Sequence, residues 1–159
     1  EHDREHLGSL GGAAWIVVTN SDHLRAAPEL SEALGASVAG PAGEKDALGG
    51  SLEVARWLSD GEELVPAMKA IEMDGSKTPG ELALLVENTT LVTGDLVRGH
   101  RGGALNLLPD GKLADKAKAV DSVRRLLAYE DVEAVLVGDG WPVFRDGNRR
   151  LRDLVGSLP

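Results

Sequence analysis

Residues 75–95 read GSKTPGELALLVENTTLVTGD, and the order of features within them sets the frame for the whole chain. A turn-rich segment, Gly75-Ser76-Lys77-Thr78-Pro79-Gly80, opens the stretch. Two short apolar runs follow, residues 81–87 (ELALLVE) and 90–93 (TLVT), with Glu87-Asn88-Thr89 as their connection. That is the pattern of a β-hairpin. The second run stops at Thr93-Gly94-Asp95, an acid placed just beyond a buried strand, where a rigid scaffold delivers side chains into loops.

Two other places repeat this arrangement. Upstream, the β-branched run Ala14 to Thr19 (AWIVVT) ends in Asn20-Ser21-Asp22-His23. Downstream, Val132 to Val137 (VEAVLV) ends in Gly138-Asp139-Gly140. Between and around these strands the period changes to that of helices. Leu24, Ala27, Leu30 and Leu34 recur at three to four over residues 25–34, with Gly35 as a stop. Residues 116–129 place Ala119, Val120, Val123, Leu126 and Leu127 on one face. Residues 2–10 and 148–156 read as terminal helices, and Ser37 to Ala39 and Val143-Phe144 as short strands. Residues 63–73 alternate as one strand with an exposed face, and residues 94–103 read as a Gly-rich loop. The order is α+β, with sheets covered by helices and polar loops at the strand ends.

Composition narrows the class further. The 159 residues are 42% hydrophobic and 27% charged, ordinary for one globular domain. No apolar run approaches the roughly 18–20 residues needed to cross a bilayer, so no membrane partner is expected. A net charge of −9 argues against nucleic acid as the main partner. Arg98, His100 and Arg101 form one local basic cluster, and Arg145, Arg149, Arg150 and Arg152 another, on a surface helix. The chain has no cysteine, which removes disulfides, thiolate metal sites and cysteine nucleophiles. That is compatible with a reducing cytoplasm, the compartment expected here. His2 and His6 share a helical spacing that can bind zinc, but without apolar support they read as a surface helix.

The four polar loops, taken in order, resemble the motifs of the metallo-β-lactamase superfamily. The family's Thr-His-x-His-x-Asp-His is similar to Val18-Thr19-Asn20-Ser21-Asp22-His23, without the two earlier histidines. Its Gly-His-Thr-Pro-Gly is similar to Ser76-Lys77-Thr78-Pro79-Gly80, with Lys77 in the histidine's place. Its bridging-aspartate motif matches Thr93-Gly94-Asp95, and its Gly-His-Gly matches Gly138-Asp139-Gly140 with aspartate for histidine. The resemblance runs from about Trp15 to about Val155.

That resemblance implies an αββα sandwich, forming a single domain over residues 1–159 that lacks the family's first strands. The missing strands would leave an open edge, to be covered by a second copy in a homodimer or by a missing N-terminal segment. The chain begins with Glu1 rather than Met, so it is expected to start inside a longer product or after processing.

The resemblance also implies that one of the family's two metal positions has lost all its histidines. The other would keep Asp22, His23 and Asp95 and gain Asp139. Such oxygen-rich donors suit Mn²⁺, Fe²⁺ or Mg²⁺ over a structural zinc arrangement. Two readings follow. In the first, one divalent metal (Mn, Fe or Zn) activates water for hydrolysis of a small-molecule substrate. Lys77 and Asp95 are then catalytic, Lys77 stabilising developing negative charge, while Arg98, His100, Arg101 and Trp141 bind substrate. In the second, no metal binds, and Lys77 pairs with Asp95 or Asp139 in a self-compensating network. The domain then serves as a binding or oligomerisation module.

Overall fold

A computed structural model describes residues 2–158. The strand that carries most of the argument is β6 (Leu82–Val86), within the stretch quoted above. Leu82 and Leu84 enter one apolar cluster, while Ala83 and Leu85 enter another on the opposite face. A strand apolar on both faces must be covered on both faces. A sandwich flanked by helices meets that demand.

β6 lies at the middle of a five-stranded sheet of order β10-β7-β6-β5-β4, built from β4 (Glu63–Val65), β5 (Met68–Glu72), β7 (Thr90–Thr93) and β10 (Ala134–Val137). β7 and β10 are parallel, and the other pairs antiparallel. The second sheet is parallel, of order β1-β2-β3: β1 (Trp15–Val17), β2 (Ser37–Pro41) and β3 (Arg56–Leu58). Ala39, Leu58, Leu64, Ala70, Leu82 and Leu84 fill the space between the sheets. Outside the parallel sheet lie helices α2 (Ala27–Leu34) and α3 (Lys45–Leu48), with Val18, Ala27, Val38 and Leu48 packed beneath them. Outside the five-stranded sheet, helices α4 (Lys116–Arg125) and α5 (Gly147–Gly156) cover Leu85, Leu91 and Val135 with Ala119, Val123, Leu151 and Leu154. The layers are therefore α, β, β, α, as the resemblance implied. The N-terminal helix α1 (His2–Ser9) buries none of its residues, in keeping with a surface role for His2 and His6.

Three expectations about local structure change. Residues 63–73 form a hairpin, β4 and β5, and not one strand. The turn falls at Pro66-Ala67, where Ala67 takes a positive φ of 63°, a conformation its side chain does not advertise. The Gly-rich loop contains a second hairpin, β8 (Val97–Arg101) and β9 (Ala104–Leu107), lying outside both sheets. Val143 makes only an isolated bridge to Val135, through a pair of backbone hydrogen bonds. The 87–89 turn stands as expected: Glu87 and Asn88 both have positive φ, at 51° and 59°, matching the twist of the strands they join.

The loops after β1, β5, β7 and β10 gather at one end of the sandwich. A backbone bond from Leu82 N to Thr19 O ties the sheets together there, and Gly138 N bonds to Thr93 O across the β7–β10 pair. The core beneath them is closely filled. Leu151→Ala, at a fully buried position on α5, is expected to lower unfolding free energy by about 2–5 kcal/mol in a urea titration, without changing the far-ultraviolet circular dichroism.

Candidate functional site

The turn after β1 begins the site. Asn20 is fully buried, and its side-chain oxygen accepts the Asp22 N–H at 3.1 Å, fixing a 3₁₀ turn over Ser21–His23. The buried Glu44 carboxylate accepts the Ser21 N–H at 2.6 Å from the other side. The turn aims His23 inward. Its Nδ1 lies 2.9 Å from Thr19 Oγ1 and its Nε2 3.2 Å from Asp95 Oδ1, so both ring nitrogens are engaged within the chain.

Asp95 is held by a different group. Glu81, just before β6, is 1% exposed. One of its oxygens accepts the N–H groups of Asp95 and Leu96 at 2.7 and 2.8 Å, and the other accepts Ser76 Oγ–H at 2.5 Å. One buried carboxylate thus ties the Ser76–Gly80 loop to the Gly94–Leu96 turn. Burial pushes the Glu81 carboxyl above the usual carboxylate range, against these three hydrogen bonds. Asp95 moves the other way. Its hydrogen bond with His23 holds its carboxyl below the usual range, opposed by burial and helped by the charges of Lys77 and Arg98.

The remaining acids meet cations. Lys77 Nζ pairs with Asp22 Oδ2, and Arg98 Nη2 with Asp139 Oδ2. His100 Nε2 approaches the same Asp139 oxygen at 3.5 Å. The Asp22 hydrogen bond raises the Lys77 pKa above its ordinary value. Lys77 therefore does not pair with Asp95 or Asp139, as one reading of the sequence had it. Those two acids have closer partners in His23 and Arg98, while Asp22 faces the 75–80 loop.

A close backbone approach brings β8 to Asp139. Gly99 donates its N–H to Asp139 O at 3.0 Å and accepts the Trp141 N–H at 2.6 Å. A Cβ on Gly99 would stand 2.0 Å from Trp141 O, and one on Gly140 2.3 Å from Gly99 O. Only glycines permit this contact. Alternation along β8 then turns Arg98 and His100 to the Asp139 side. Arg101, past a register shift in the hairpin, stands exposed and outside the cluster. Trp141 is 68% exposed.

Among the described residues, no three His, Asp or Glu side chains stand together in a way that could hold a metal ion. Asp22, His23, Asp95 and Asp139 share one end of the sandwich but split among three partnerships. The residues that sequence reasoning passed over are Thr19, Asn20, Glu44, Ser76 and Glu81. Glu81 left a signal, a single charge opening an otherwise apolar strand, which burial obliges to find donors.

The profile of the metallo-β-lactamase superfamily matches residues 1–158. The chain belongs to that superfamily. Solved structures agree on the fold. The di-iron-bound form of TTHA1623 superposes with a TM-score of 0.69 at 22% identity, over 88% of this chain and 77% of that one. VMB-1 superposes with a TM-score of 0.74 at 17% identity, over 98% and 74%. The mono-zinc form of FIM-1 from Pseudomonas aeruginosa gives 0.66 at 14%, over 90% and 66%. This superfamily member thus spans about two thirds to three quarters of the length of those structures. No curated protein sequence matches it. The metals named for TTHA1623 and FIM-1 are properties of those proteins. In this superfamily member the donor set does not fit a metal pair, because Lys77 and Arg98 already pair with two of the acids and His23 with the third.

Glu81 offers a direct test of how the two loops are held. Glu81→Ala leaves two buried N–H groups without an acceptor and is expected to cost about 2–4 kcal/mol. Glu81→Gln keeps an acceptor for them and removes the charge. Because the folded-state carboxyl has a raised pKa, its contribution to stability grows as pH falls towards and through that pKa. The stability of the parent relative to Glu81→Gln should therefore rise between pH 7 and pH 4, measured by urea unfolding at each pH. A difference independent of pH would show that Glu81 is not held in this environment.

Proposed function

We propose that this domain is a metal-free member of the metallo-β-lactamase superfamily, in which side-chain cations replace metal charge and the fold serves binding or assembly rather than hydrolysis. One observation carries the reading: Asp22 and Asp139 pair with the cations Lys77 and Arg98, and Asp95 is hydrogen-bonded by His23 and Asn20. Three carboxylates at one end of a sandwich repel one another unless compensated. Metal ions do that in a metalloenzyme, and here the compensating groups are part of the chain. The competing reading is a one-metal hydrolase using Asp22, His23, Asp95 and Asp139, with Lys77 stabilising developing charge. It draws support from the superfamily itself, and it requires three partnerships to open.

The open sheet edge belongs to the same proposal. β1 is the outer strand of its sheet. Ala14 O and Val18 N bond towards β2, so alternation turns the N–H and C=O groups of Trp15 and Val17 to the free side. A hollow of about 240 Å³ between β1 and β10 lies beside that edge, lined in part by Val17, Val92 and Leu136. A further strand, from a second copy or from additional chain, would cover it. Among the described residues, no helix is long and apolar enough to cross a membrane.

The charge network predicts unequal costs. Lys77 and Asp22 are each about two-fifths exposed, so Lys77→Met should change stability by no more than about 1 kcal/mol. Arg98 is 13% exposed in its side chain while Asp139 is 43% exposed, so Arg98→Met should cost more than Lys77→Met but only about 1–2 kcal/mol. Thermal unfolding with and without Mn²⁺, Fe²⁺ or Zn²⁺ completes the test. The proposal expects no metal-dependent gain in Tm for the parent, and a gain of several degrees that Asp95→Ala abolishes would overturn it. Sedimentation equilibrium addresses the edge: a concentration-dependent dimer is expected, and a monomer throughout would remove self-pairing.

A further inference from the structure

Outside the carboxylate cluster, a groove of about 490 Å³ runs between the β8–β9 hairpin and the last turn of α5. Its volume falls in the range of small-molecule sites, roughly 300–1,000 Å³. The lining is mainly apolar, with Leu105, Leu107, Leu154 and Leu158 among its walls. Leu105 and Leu154 are nearly buried, whereas Leu107 and Leu158 keep part of their surface open to the groove.

The polar groups of the groove sort by whether they are already satisfied. Asn106 accepts the His100 N–H and donates to Leu107 O. Ser157 donates its hydroxyl to Leu154 O. His100 leans on Asp139. Arg101 differs: it is exposed, and among the described residues its guanidinium has neither an ion pair nor a hydrogen bond. An uncompensated guanidinium beside an apolar trough is notable in a chain of net charge −9.

We propose that this groove binds a small amphipathic carboxylate, with its carboxyl on Arg101 and its hydrocarbon body along Leu105, Leu107, Leu154 and Leu158. A guanidinium matches a carboxylate with two parallel hydrogen bonds. Among the described residues of the lining, Arg101 is the one cation without a partner, and the groove borders a helix C-terminus whose dipole end is negative, so a monoanion fits better than a phosphate dianion. An uncharged lipid would leave Arg101 unused. The site needs no metal and stands apart from the reading of the carboxylate cluster, which it meets only at His100.

Titration of ¹⁵N-labelled protein with decanoate, below its micelle concentration, tests this directly. Decanol and inorganic phosphate serve as probes lacking the charge and the chain respectively. Saturable shifts are expected at residues 100–107 and 154–158 with decanoate, weakened about tenfold or more by Arg101→Glu, with much weaker binding of decanol and none of phosphate. Leu158→Asp, at a half-buried position of the groove wall, gives an independent loss through the apolar wall and keeps the test open if the Arg101 variant folds poorly. Absence of saturable shifts would overturn the proposal. So would shifts confined to other surfaces, equal affinity for decanol, or binding indifferent to both substitutions.

Discussion

Carboxylates cannot be crowded at the end of an apolar sandwich without compensation, and most of the local structure around Asp22, Asp95 and Asp139 follows from that constraint. Burial raises the energy of the Asp95 charge, whereas Asp22 and Asp139 stay about two-fifths exposed. The chain answers with a separate partner for each: Lys77 from the loop after β5, His23 from the turn after β1, and Arg98 from β8. Beneath them Glu81 accepts three hydrogen bonds and fixes two of the loops to one another. The Gly99–Gly140 contact fixes the last loop. Loss of His23 would leave the buried Asp95 carboxylate without its nearest partner, whereas Asp22 and Asp139 keep about two-fifths of their side-chain surface in solvent.

Much of this was legible in the sequence, for physical reasons that differ by element. β6 and β7 declared themselves through short β-branched and aliphatic runs around a turn. α4 did so through its helical period, and Gly35 as a stop proved left-handed, with a φ of 63°. The four loops in order carried the family. The β8–β9 hairpin was hidden, because glycines at 99, 102 and 103 lower strand propensity while serving close backbone approach and a turn. The β4–β5 hairpin was hidden because Ala67 adopts a positive φ without glycine.

Partner choice was the least legible feature. The sequence placed Lys77 among the acids, yet nothing in its spacing distinguishes Asp22 from Asp95 or Asp139. That choice depends on which acids already hold nearer donors, and so on the hairpin that went unseen. Arg98 illustrates the same point. Read as a substrate contact, it lies against Asp139, because β8 alternates and the glycines let the backbones touch. Glu81 and Asn20 act through backbone N–H groups, which leave no pattern in side-chain order.

Superfamily membership sets the expectation of bound metal, and the pairing of every acid with an internal partner sets the opposite one. Elemental mass spectrometry of protein purified without chelator, from cells grown with manganese, iron and zinc, decides between them. A charge-compensated, metal-free domain predicts far less than one metal ion per chain. About one ion per chain, lost on Asp95→Ala, would contradict the account.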